Sequence, residues 1–337
     1  MLPSNATLQR AKEALGSFHL SVERKSMRMV VLGAALRVIC ALALGATSAG
    51  ASEFPQIPSA IFEDPPVSAK YPASGAGVRF PSQGVLINAQ LYRPSGEGAH
   101  PTVILLHGLP GNEQNLDLAR AIQRSGWTVI TFHYRGSWGS PGTFTLLGGV
   151  ADAAALVAWL QHPEHATAWG VDPARIVMVG HSYGGYIAAR VAAARPSILA
   201  AALIAPWDIS YDAREWSAFS ARQLFKVGAD NFDDVDGRLS GATASSLTRD
   251  VLRDGPSLNL TALSAGLAKR RILIITATRD DPDDQASALV TNLKRRSHGT
   301  FESEVMMTDH GFNDHRIALE VAVVSWLARL PGAPPKW

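Results

Sequence analysis

A glycine-flanked serine is the feature of this sequence with the clearest chemical meaning. Ser182 lies at the centre of residues 180–185, GHSYGG, which contain the one Gly-x-Ser-x-Gly pattern in the chain. An apolar segment that predicts a β-strand, residues 175–179, precedes it directly, and a helical pattern begins at Tyr186. A serine between a strand and a helix sits in a tight turn whose glycines permit close backbone approach. The pattern predicts a nucleophilic hydroxyl at a helix N-terminus; a serine that only caps the helix is the alternative.

A serine hydroxyl is a weak nucleophile until a base accepts its proton, so a histidine is required elsewhere. Of the ten histidines, His310 follows the last predicted strand, on a loop at the sheet edge where the serine is expected. His315 is the alternative, but it falls at the start of the last predicted helix. Position therefore favours His310 as the base.

The third member of such a site is a carboxylate that orients the imidazole and stabilises its charged form. Residues 271–277 predict a strand that runs into Asp280 and Asp281. Asp280 comes first after the strand and is the preferred acid, with Asp281 as the alternative. The chain order of serine, aspartate and histidine is the one that accompanies this type of serine turn.

Acyl transfer also requires two backbone N–H groups for the oxyanion. Tyr183, the residue after the serine, is expected to supply one of them. The second is expected from residues 107–111, HGLPG, where Pro110 has no N–H and Leu109 is the better donor. A turn with a purely structural role is the alternative for this loop.

The elements that must position these residues follow from the alternation of apolar and helical segments. Residues 77–80 and 85–92 predict an antiparallel hairpin near the N-terminus. Strands are then predicted at residues 102–107, 127–133, 175–180, 199–205, 271–277 and 301–307, and helices at 113–125, 150–161, 182–194, 283–296 and 314–330. Strands rich in Val, Ile and Leu that alternate with helices predict an α/β fold with a mostly parallel, doubly wound sheet.

This alternation is interrupted at residues 206–269, where several short helical stretches replace one strand–helix unit. We predict that this segment, the cap, lies over the carboxyl ends of the strands, where ligands bind in such sheets; a surface decoration is the alternative.

Four aromatic residues of the cap are candidates for an apolar substrate pocket, although packing is the alternative role: Trp207, Tyr211, Trp216 and Phe219. Six acidic residues could recognise a substrate amine: Asp208, Asp212, Glu215, Asp230, Asp233 and Asp234.

The N-terminal part of the chain predicts export. From Met27, basic residues, an apolar run and small residues follow one another, and signal cleavage is expected before Ser52. The enzyme would then be periplasmic or secreted without stable membrane insertion, or membrane-anchored if the signal is not cleaved. The resulting organisation is an extension and signal at 1–51, a Pro-rich lead-in at 52–76, a catalytic domain at 77–330 and a tail at 331–337.

Composition excludes several classes of protein. The 31 basic and 29 acidic residues nearly cancel and form no basic stripe, which argues against a nucleic-acid partner. The single cysteine, Cys40, lies in the predicted signal, so disulfides and cysteine-ligated metals are not expected in the mature protein. His162 and His165, like residues 233–237, are interpreted as solvated turns. Neither a metal nor a cofactor is predicted, and the sequence leaves the oligomeric state open.

Four segments resemble the α/β-hydrolase superfamily, and more narrowly the catalytic domains of prolyl oligopeptidase-type serine peptidases and related esterases. They are residues 107–111, 134–140 (YRGSWGS), 171–185 and 309–312 (DHGF), and the resemblance covers most of residues 77–330. It implies the α/β-hydrolase fold with a small helical cap and a serine hydrolase that needs no cofactor. The β-propeller that such peptidases carry before this domain does not fit between the predicted signal and Gly77.

These features lead to three hypotheses of function. The first is a serine hydrolase that cleaves a small-molecule ester through an acyl-enzyme on Ser182. The alternative is a peptidase or aminopeptidase of the prolyl oligopeptidase type, which would act on short peptides with the same residues. A remote alternative is a non-catalytic binding protein on the same fold.

Overall fold

A β-sheet of eight strands forms the centre of the computed structural model, which describes residues 57–280, 285–297 and 300–335. In chain order the strands are β1 Ser74–Ser82, β2 Val85–Arg93, β3 His100–Leu106, β4 Thr128–Phe132, β5 Val171–His181, β6 Ile198–Ile204, β7 Arg271–Ala277 and β8 Phe301–Met306. Across the sheet their order is β1-β2-β4-β3-β5-β6-β7-β8. The β1–β2 and β2–β4 pairs are antiparallel and the other neighbouring strands are parallel.

The helices of the described ranges connect these strands. They are α1 Leu116–Arg124, α2 Leu146–Leu160, α3 Pro163–Trp169, α4 Tyr183–Ala194, α5 Ile209–Trp216, α6 Ala221–Phe232, α7 Ala244–Asp254, α8 Ser264–Leu267, α9 Ser287–Arg296 and α10 Arg316–Leu327. Short 3-10 helices lie at Ser59–Ile61, Gly255–Ser257 and Thr261–Leu263. None of the helices in these ranges is long and apolar enough to cross a bilayer.

Helices cover both faces of the sheet, as the apolar strands predicted. In β3, Ile104 and Leu106 belong to one buried core, whereas Val103 and Leu105 belong to the other. Successive side chains of a strand point to opposite faces, so a strand that is buried on both sides is apolar throughout. The first core includes α2 and α4, and the second includes α1 and α10. The predicted fold class, a mostly parallel doubly wound sheet with an antiparallel hairpin, is confirmed.

Helix α2 begins four residues before the predicted start at residue 150. The Thr145 hydroxyl caps it by accepting a hydrogen bond from the N–H of Gly148 at 2.9 Å. Gly149 lies in this additional turn and has to be small, because a Cβ there would lie less than 3.0 Å from the Tyr183 hydroxyl.

Helix α3 replaces the solvated turn that was predicted around His162 and His165. The imidazole of His165 stacks on the indole of Trp159 with 4.0 Å between ring centroids. Its Nδ1 lies 3.0 Å from the carbonyl oxygen of Trp159. His165 is therefore a half-buried packing residue, and the interpretation of this segment as a solvated turn was wrong. Residues 233–237 do form a turn.

The segment between β6 and β7 holds four helices, α5 to α8. Buried side chains of this segment, among them Trp216, Phe232 and Leu247, join the core that contains α4. The helices are thus packed onto the domain on the face of the sheet that α4 covers. The predicted extension and signal at residues 1–51 lie outside the described residues, so export stays a prediction.

Candidate active site

Ser182 occupies a tight turn between β5 and α4. Its backbone has φ 55° and ψ −119°, a region that non-glycine residues rarely adopt. A Cβ on Gly180 would lie less than 3.0 Å from the backbone of Gly184, and a Cβ on Gly184 less than 3.0 Å from the carbonyl of Leu106. The glycines of the motif are therefore required by backbone-to-backbone contact.

Backbone hydrogen bonds tie this turn to the neighbouring strand and to the cap. The Ser182 N–H donates to the carbonyl of Ile204 at 2.9 Å, and the Trp207 N–H donates to the carbonyl of Ser182 at 3.1 Å. Such bonds offset the cost of the unusual backbone conformation. They hold the serine at the carboxyl end of the sheet, beside the start of the cap.

His310 and Asp280 form a hydrogen-bonded pair at the same edge. Nδ1 of His310 lies 2.8 Å from Oδ2 of Asp280, and because an ionised carboxylate only accepts, Nδ1 is assigned the proton. The Arg279 N–H donates to the carbonyl of Thr308 at 2.9 Å, which joins the loops after β7 and β8. The pairing leaves Nε2 of His310 with a free lone pair.

One cavity of about 680 Å³ brings the predicted residues together. Ser182, Asp280, His310 and Leu109 all line it. Within the described residues, no hydrogen bond joins the Ser182 hydroxyl to the His310 ring, whose side chain is 45% exposed. Catalytic hydrogen bonds often form only with substrate bound, so the open contact is compatible with proton transfer.

The two alternatives left open by the sequence have different positions. His315 precedes α10, and its Nδ1 lies 3.0 Å from Oδ1 of Asp314; it is not one of the residues that line the cavity. Asp281, the alternative acid, lies outside the described residues. The geometry thus favours His310 over His315.

Two backbone N–H groups point to an oxyanion site. The N–H groups of Tyr183 and Leu109 have no acceptor in the described part of the chain. Tyr183 is the first residue of α4, so its N–H is one of those that a helix cannot satisfy internally. These are the two donors that the sequence predicted, and Leu109 lines the cavity beside Ser182.

The loop at residues 134–140 braces the loop that carries Leu109. The indole N–H of Trp138 donates to the carbonyl of Pro110 at 2.6 Å, and the Tyr134 hydroxyl donates to the carbonyl of His107 at 2.8 Å. Arg135 anchors the bracing loop from beneath by pairing with the fully buried carboxylate of Asp152. A buried ion pair with several hydrogen bonds favours one arrangement, because separating the partners would leave an uncompensated charge in the interior of the protein.

Two buried histidines support the site and were missed from the sequence. The His181 ring donates from Nε2 to the carbonyl of His310 at 2.7 Å, with 4.7 Å between the two ring centroids. The His107 ring donates from Nδ1 to the carbonyl of Gly108 at 2.7 Å. Burial lowers the pKa of His181 to about 3 and that of His107 to about 4, so both rings are neutral near pH 7. Their places inside the serine motif and the HGLPG segment were the available signal.

Two of the four aromatic residues predicted for a substrate pocket line the cavity. Trp207 and Trp216 do so, together with Phe232, which the sequence did not single out. Tyr211 and Phe219 do not. The guanidinium carbon of Arg214 lies over the Tyr211 ring, 5.7 Å from the ring centroid. Phe219 is partly buried and packs against the core. For these two the packing alternative applies.

Of the six acidic candidates in the cap, Asp212 alone lines the cavity. It is 9% exposed, and the Trp207 indole donates to its Oδ2 at 2.5 Å. Burial raises the pKa of Asp212 to about 6, against the opposing effect of the indole hydrogen bond. The carboxylate is therefore mostly ionised near pH 7.

Comparisons with known proteins agree on the fold. A family model described as alpha/beta hydrolase fold matches residues 101–271. An uncharacterized protein of Mycobacterium tuberculosis is 32% identical over 133 residues, 39% of this chain and 46% of that protein. The chain thus spans about half the length of the curated relative that it matches.

Solved structures with similar folds include enzymes of two kinds. An esterase of Pyrococcus furiosus has a TM-score of 0.55 at 18% identity, covering 79% of this chain and 97% of its own. An acylaminoacyl peptidase of Pyrococcus horikoshii has a TM-score of 0.56 at 17% identity, covering 79% of this chain and 43% of its own. At these identities the likeness is one of fold.

The first prediction concerns the packing of the serine turn. Gly184→Ala places a Cβ against the backbone of Leu106, so we expect the free energy of unfolding to fall by about 1–3 kcal/mol in urea denaturation. Gly77→Ala is the matched control, because nothing lies within 4 Å of its added Cβ. Equal stability of the two variants would contradict the required contact.

A second prediction concerns acid stability. His107 has a pKa of about 4 in the folded protein but an ordinary value of 6.5 when unfolded, so only the unfolded state binds a proton between these limits. The free energy of unfolding should therefore decrease as the pH is lowered from about 6.5 to 4. His107 should contribute up to about 1.4 kcal/mol of this decrease per pH unit. We expect His107→Gln to show a shallower slope than the wild type when urea midpoints are measured across this window. Identical slopes would exclude the assignment.

Proposed function

Since this chain belongs to the alpha/beta hydrolase family, we propose that it is a serine hydrolase that cleaves carboxylic esters through an acyl-enzyme on Ser182. One observation carries the proposal. The hydrogen-bonded His310–Asp280 pair and the serine of the glycine turn open onto the same cavity, next to two N–H groups without acceptors. A nucleophile, a base with its orienting carboxylate and oxyanion donors are the parts that acyl transfer needs.

In the first half of the proposed reaction, the Ser182 oxygen attacks the carbonyl carbon of the ester while Nε2 of His310 accepts the hydroxyl proton. Asp280 accepts from Nδ1, which keeps Nε2 unprotonated beforehand and stabilises the imidazolium afterwards. The N–H groups of Tyr183 and Leu109 donate to the developing oxyanion. Collapse of the tetrahedral intermediate breaks the ester C–O bond, and the imidazolium gives its proton to the departing alcohol.

In the second half, a water molecule replaces the alcohol. His310 accepts a proton from the water as its oxygen attacks the acyl carbon, and the same two N–H groups bind the second oxyanion. Collapse then breaks the bond to Ser182, which recovers the proton from His310. The carboxylic acid leaves, and the enzyme returns to its initial state with every proton accounted for.

His181 acts in this scheme as a positioning residue. Its neutral ring donates to the backbone carbonyl of His310, and so it fixes the loop without competing for the Ser182 proton. A charged ring at that place would oppose the imidazolium that forms during catalysis. The low pKa of His181, about 3 as a result of burial, keeps it neutral over the working range.

The third prediction tests the proposed residues with short p-nitrophenyl esters. We expect Ser182→Ala to lower kcat by at least about 10⁴-fold, because the covalent route is lost while oxyanion and substrate contacts remain. His310→Gln and Asp280→Asn should also lower turnover by orders of magnitude. The measurement is the initial rate of p-nitrophenolate release, with folding checked by thermal unfolding.

Matched variants make this test specific. His315→Gln removes the other histidine of the last loop, and Asp281→Asn removes the neighbouring carboxylate; both should retain most of the wild-type rate. If His315→Gln lost activity while His310→Gln kept it, His315 would be the base. If Asp281→Asn lost activity while Asp280→Asn kept it, Asp281 would be the acid.

A fluorophosphonate probe separates an enzyme from a non-catalytic binding protein on the same fold. We expect the wild type to be labelled at one position and Ser182→Ala to stay unlabelled, because the reagent requires an activated serine. Wild-type protein that is folded and yet neither labelled nor active on any ester would refute the proposed function.

A further inference from the structure

One charged side chain in the wall of the active-site cavity has no counter-ion. Asp212, in α5, is 9% exposed and lines the cavity with Ser182 and His310. Within the described ranges, neither a lysine nor an arginine forms a salt bridge with it. Its acidic neighbours Asp208 and Glu215 add to the negative potential instead of compensating it.

The other charged groups of the cavity wall are already engaged. Asp280 accepts from the proposed base. Arg279, which is exposed, donates to Asp314 at 2.5 Å, and Asp309 accepts from the backbone N–H of Asn313 at 2.9 Å. Asp280 thus pairs with His310 and Asp309 lies in the field of Arg279, whereas no cation acts on Asp212 among the described residues.

Neutral donors hold Asp212 in place without neutralising it. The Trp207 indole donates to Oδ2 at 2.5 Å, and the Gln285 amide donates to Oδ1 at 3.3 Å. The other end of the Gln285 amide accepts from the backbone N–H of Asp208 at 2.8 Å, which fixes the orientation of the amide. Each carboxylate oxygen can accept more than one hydrogen bond, so both oxygens of this lining residue keep accepting capacity.

A buried anion of this kind favours a cation as its partner. Above a pH of about 6 Asp212 is mostly ionised, and an uncompensated charge in a half-enclosed site carries a desolvation cost that an entering cation offsets. A neutral ligand would leave that cost in place.

Three aromatic side chains of this wall suit an ammonium group. Trp207, Trp216 and Phe232 line the cavity beside Asp212, and the Phe232 ring centroid lies 6.2 Å from those of both tryptophans. The faces of such rings attract cations, and they attract alkylammonium groups in particular, since these carry methyl or methylene groups that also lose contact with water.

We propose that Asp212, with Trp207, Trp216 and Phe232, forms a subsite for an ammonium group of the substrate, so that the enzyme acts on cationic esters or aminoacyl compounds. This inference rests on the proposed function, because the subsite shares its cavity with Ser182. A cavity of about 680 Å³ is large enough for a small ester or a short peptide with its ammonium group.

The test compares cationic esters with uncharged isosteres. Choline butyrate is paired with 3,3-dimethylbutyl butyrate, and p-nitrophenyl 4-(trimethylammonio)butanoate with p-nitrophenyl 5,5-dimethylhexanoate. Each pair differs by a nitrogen in place of a carbon, on the alcohol side in the first and on the acyl side in the second. We expect kcat/KM of the wild type to favour the cationic member of at least one pair by about tenfold or more.

Asp212→Asn should lower this preference by about tenfold, because the shape is kept while the charge is removed. Asp233→Asn is the matched control in the cap: it removes one negative charge from an exposed residue that does not line the cavity. It should change the preference by less than about twofold, since charges in water are screened.

A measurement on the wild type alone guards against a variant that fails to fold. The preference should weaken as pH falls through about 6, because Asp212 becomes protonated in the free enzyme. The groups that set this titration are the neighbouring Asp208 and Glu215 and the donors Trp207 and Gln285. Arg279 also lines the cavity, but it pairs with Asp314. Protonation of the base slows both members of a pair alike, so the ratio isolates Asp212.

The outcomes separate the two proposals. Ser182-dependent hydrolysis of neutral esters with no preference for either cation would overturn the ammonium subsite and leave the proposed function standing. A preference that is unchanged in Asp212→Asn and constant between pH 7 and pH 5 would also overturn it. Absence of any hydrolysis and of fluorophosphonate labelling would refute the proposed function itself.

Discussion

The site depends on the close contact between the serine turn and the neighbouring strand. Gly184 lies against the carbonyl of Leu106 at the end of β3, and no side chain fits between them. This contact fixes where α4 begins, and hence where the N–H of Tyr183 points and which way Ser182 faces. It also brings the HGLPG loop, which follows β3, next to the serine. One backbone approach thus positions both the proposed nucleophile and the proposed oxyanion donors.

The remaining groups reach the serine because parallel strands end at one edge of the sheet. The loops after β7 and β8 carry Asp280 and His310, and a backbone hydrogen bond between Arg279 and Thr308 joins them. Buried supports then limit the freedom of each loop: His181 binds the carbonyl of His310 from below, and Trp138 binds the HGLPG loop from the side. The topology of the sheet places these side chains at one edge, whereas the hydrogen bonds of their loops fix how they are oriented.

The fold and the lining of the site by Ser182, His310, Asp280 and Leu109 could be predicted because they follow from local order: each residue comes directly after an apolar strand. Features that depend on tertiary packing could not be predicted from the sequence. The predicted helix at 150–161 begins at Leu146 in the structure, and Gly149 fits there because the Tyr183 hydroxyl leaves no room for a side chain. Tyr211 and Phe219 have the same local character as Trp207 and Trp216. Which aromatic rings line the cavity depends on how the short cap helices turn, and helical spacing alone does not fix that.

The Gln285 side chain joins the cap to the part of the chain that follows β7. Its amide bonds to the start of α5 and to Asp212, while five residues earlier the same segment carries Asp280. Exchange of the cap would therefore leave Gln285 without its partners, unless the new cap offered the same backbone N–H and acceptor. Trp216 and Phe232 line the cavity without being joined to that amide, so substitutions there would change the cavity and keep the contacts of Gln285.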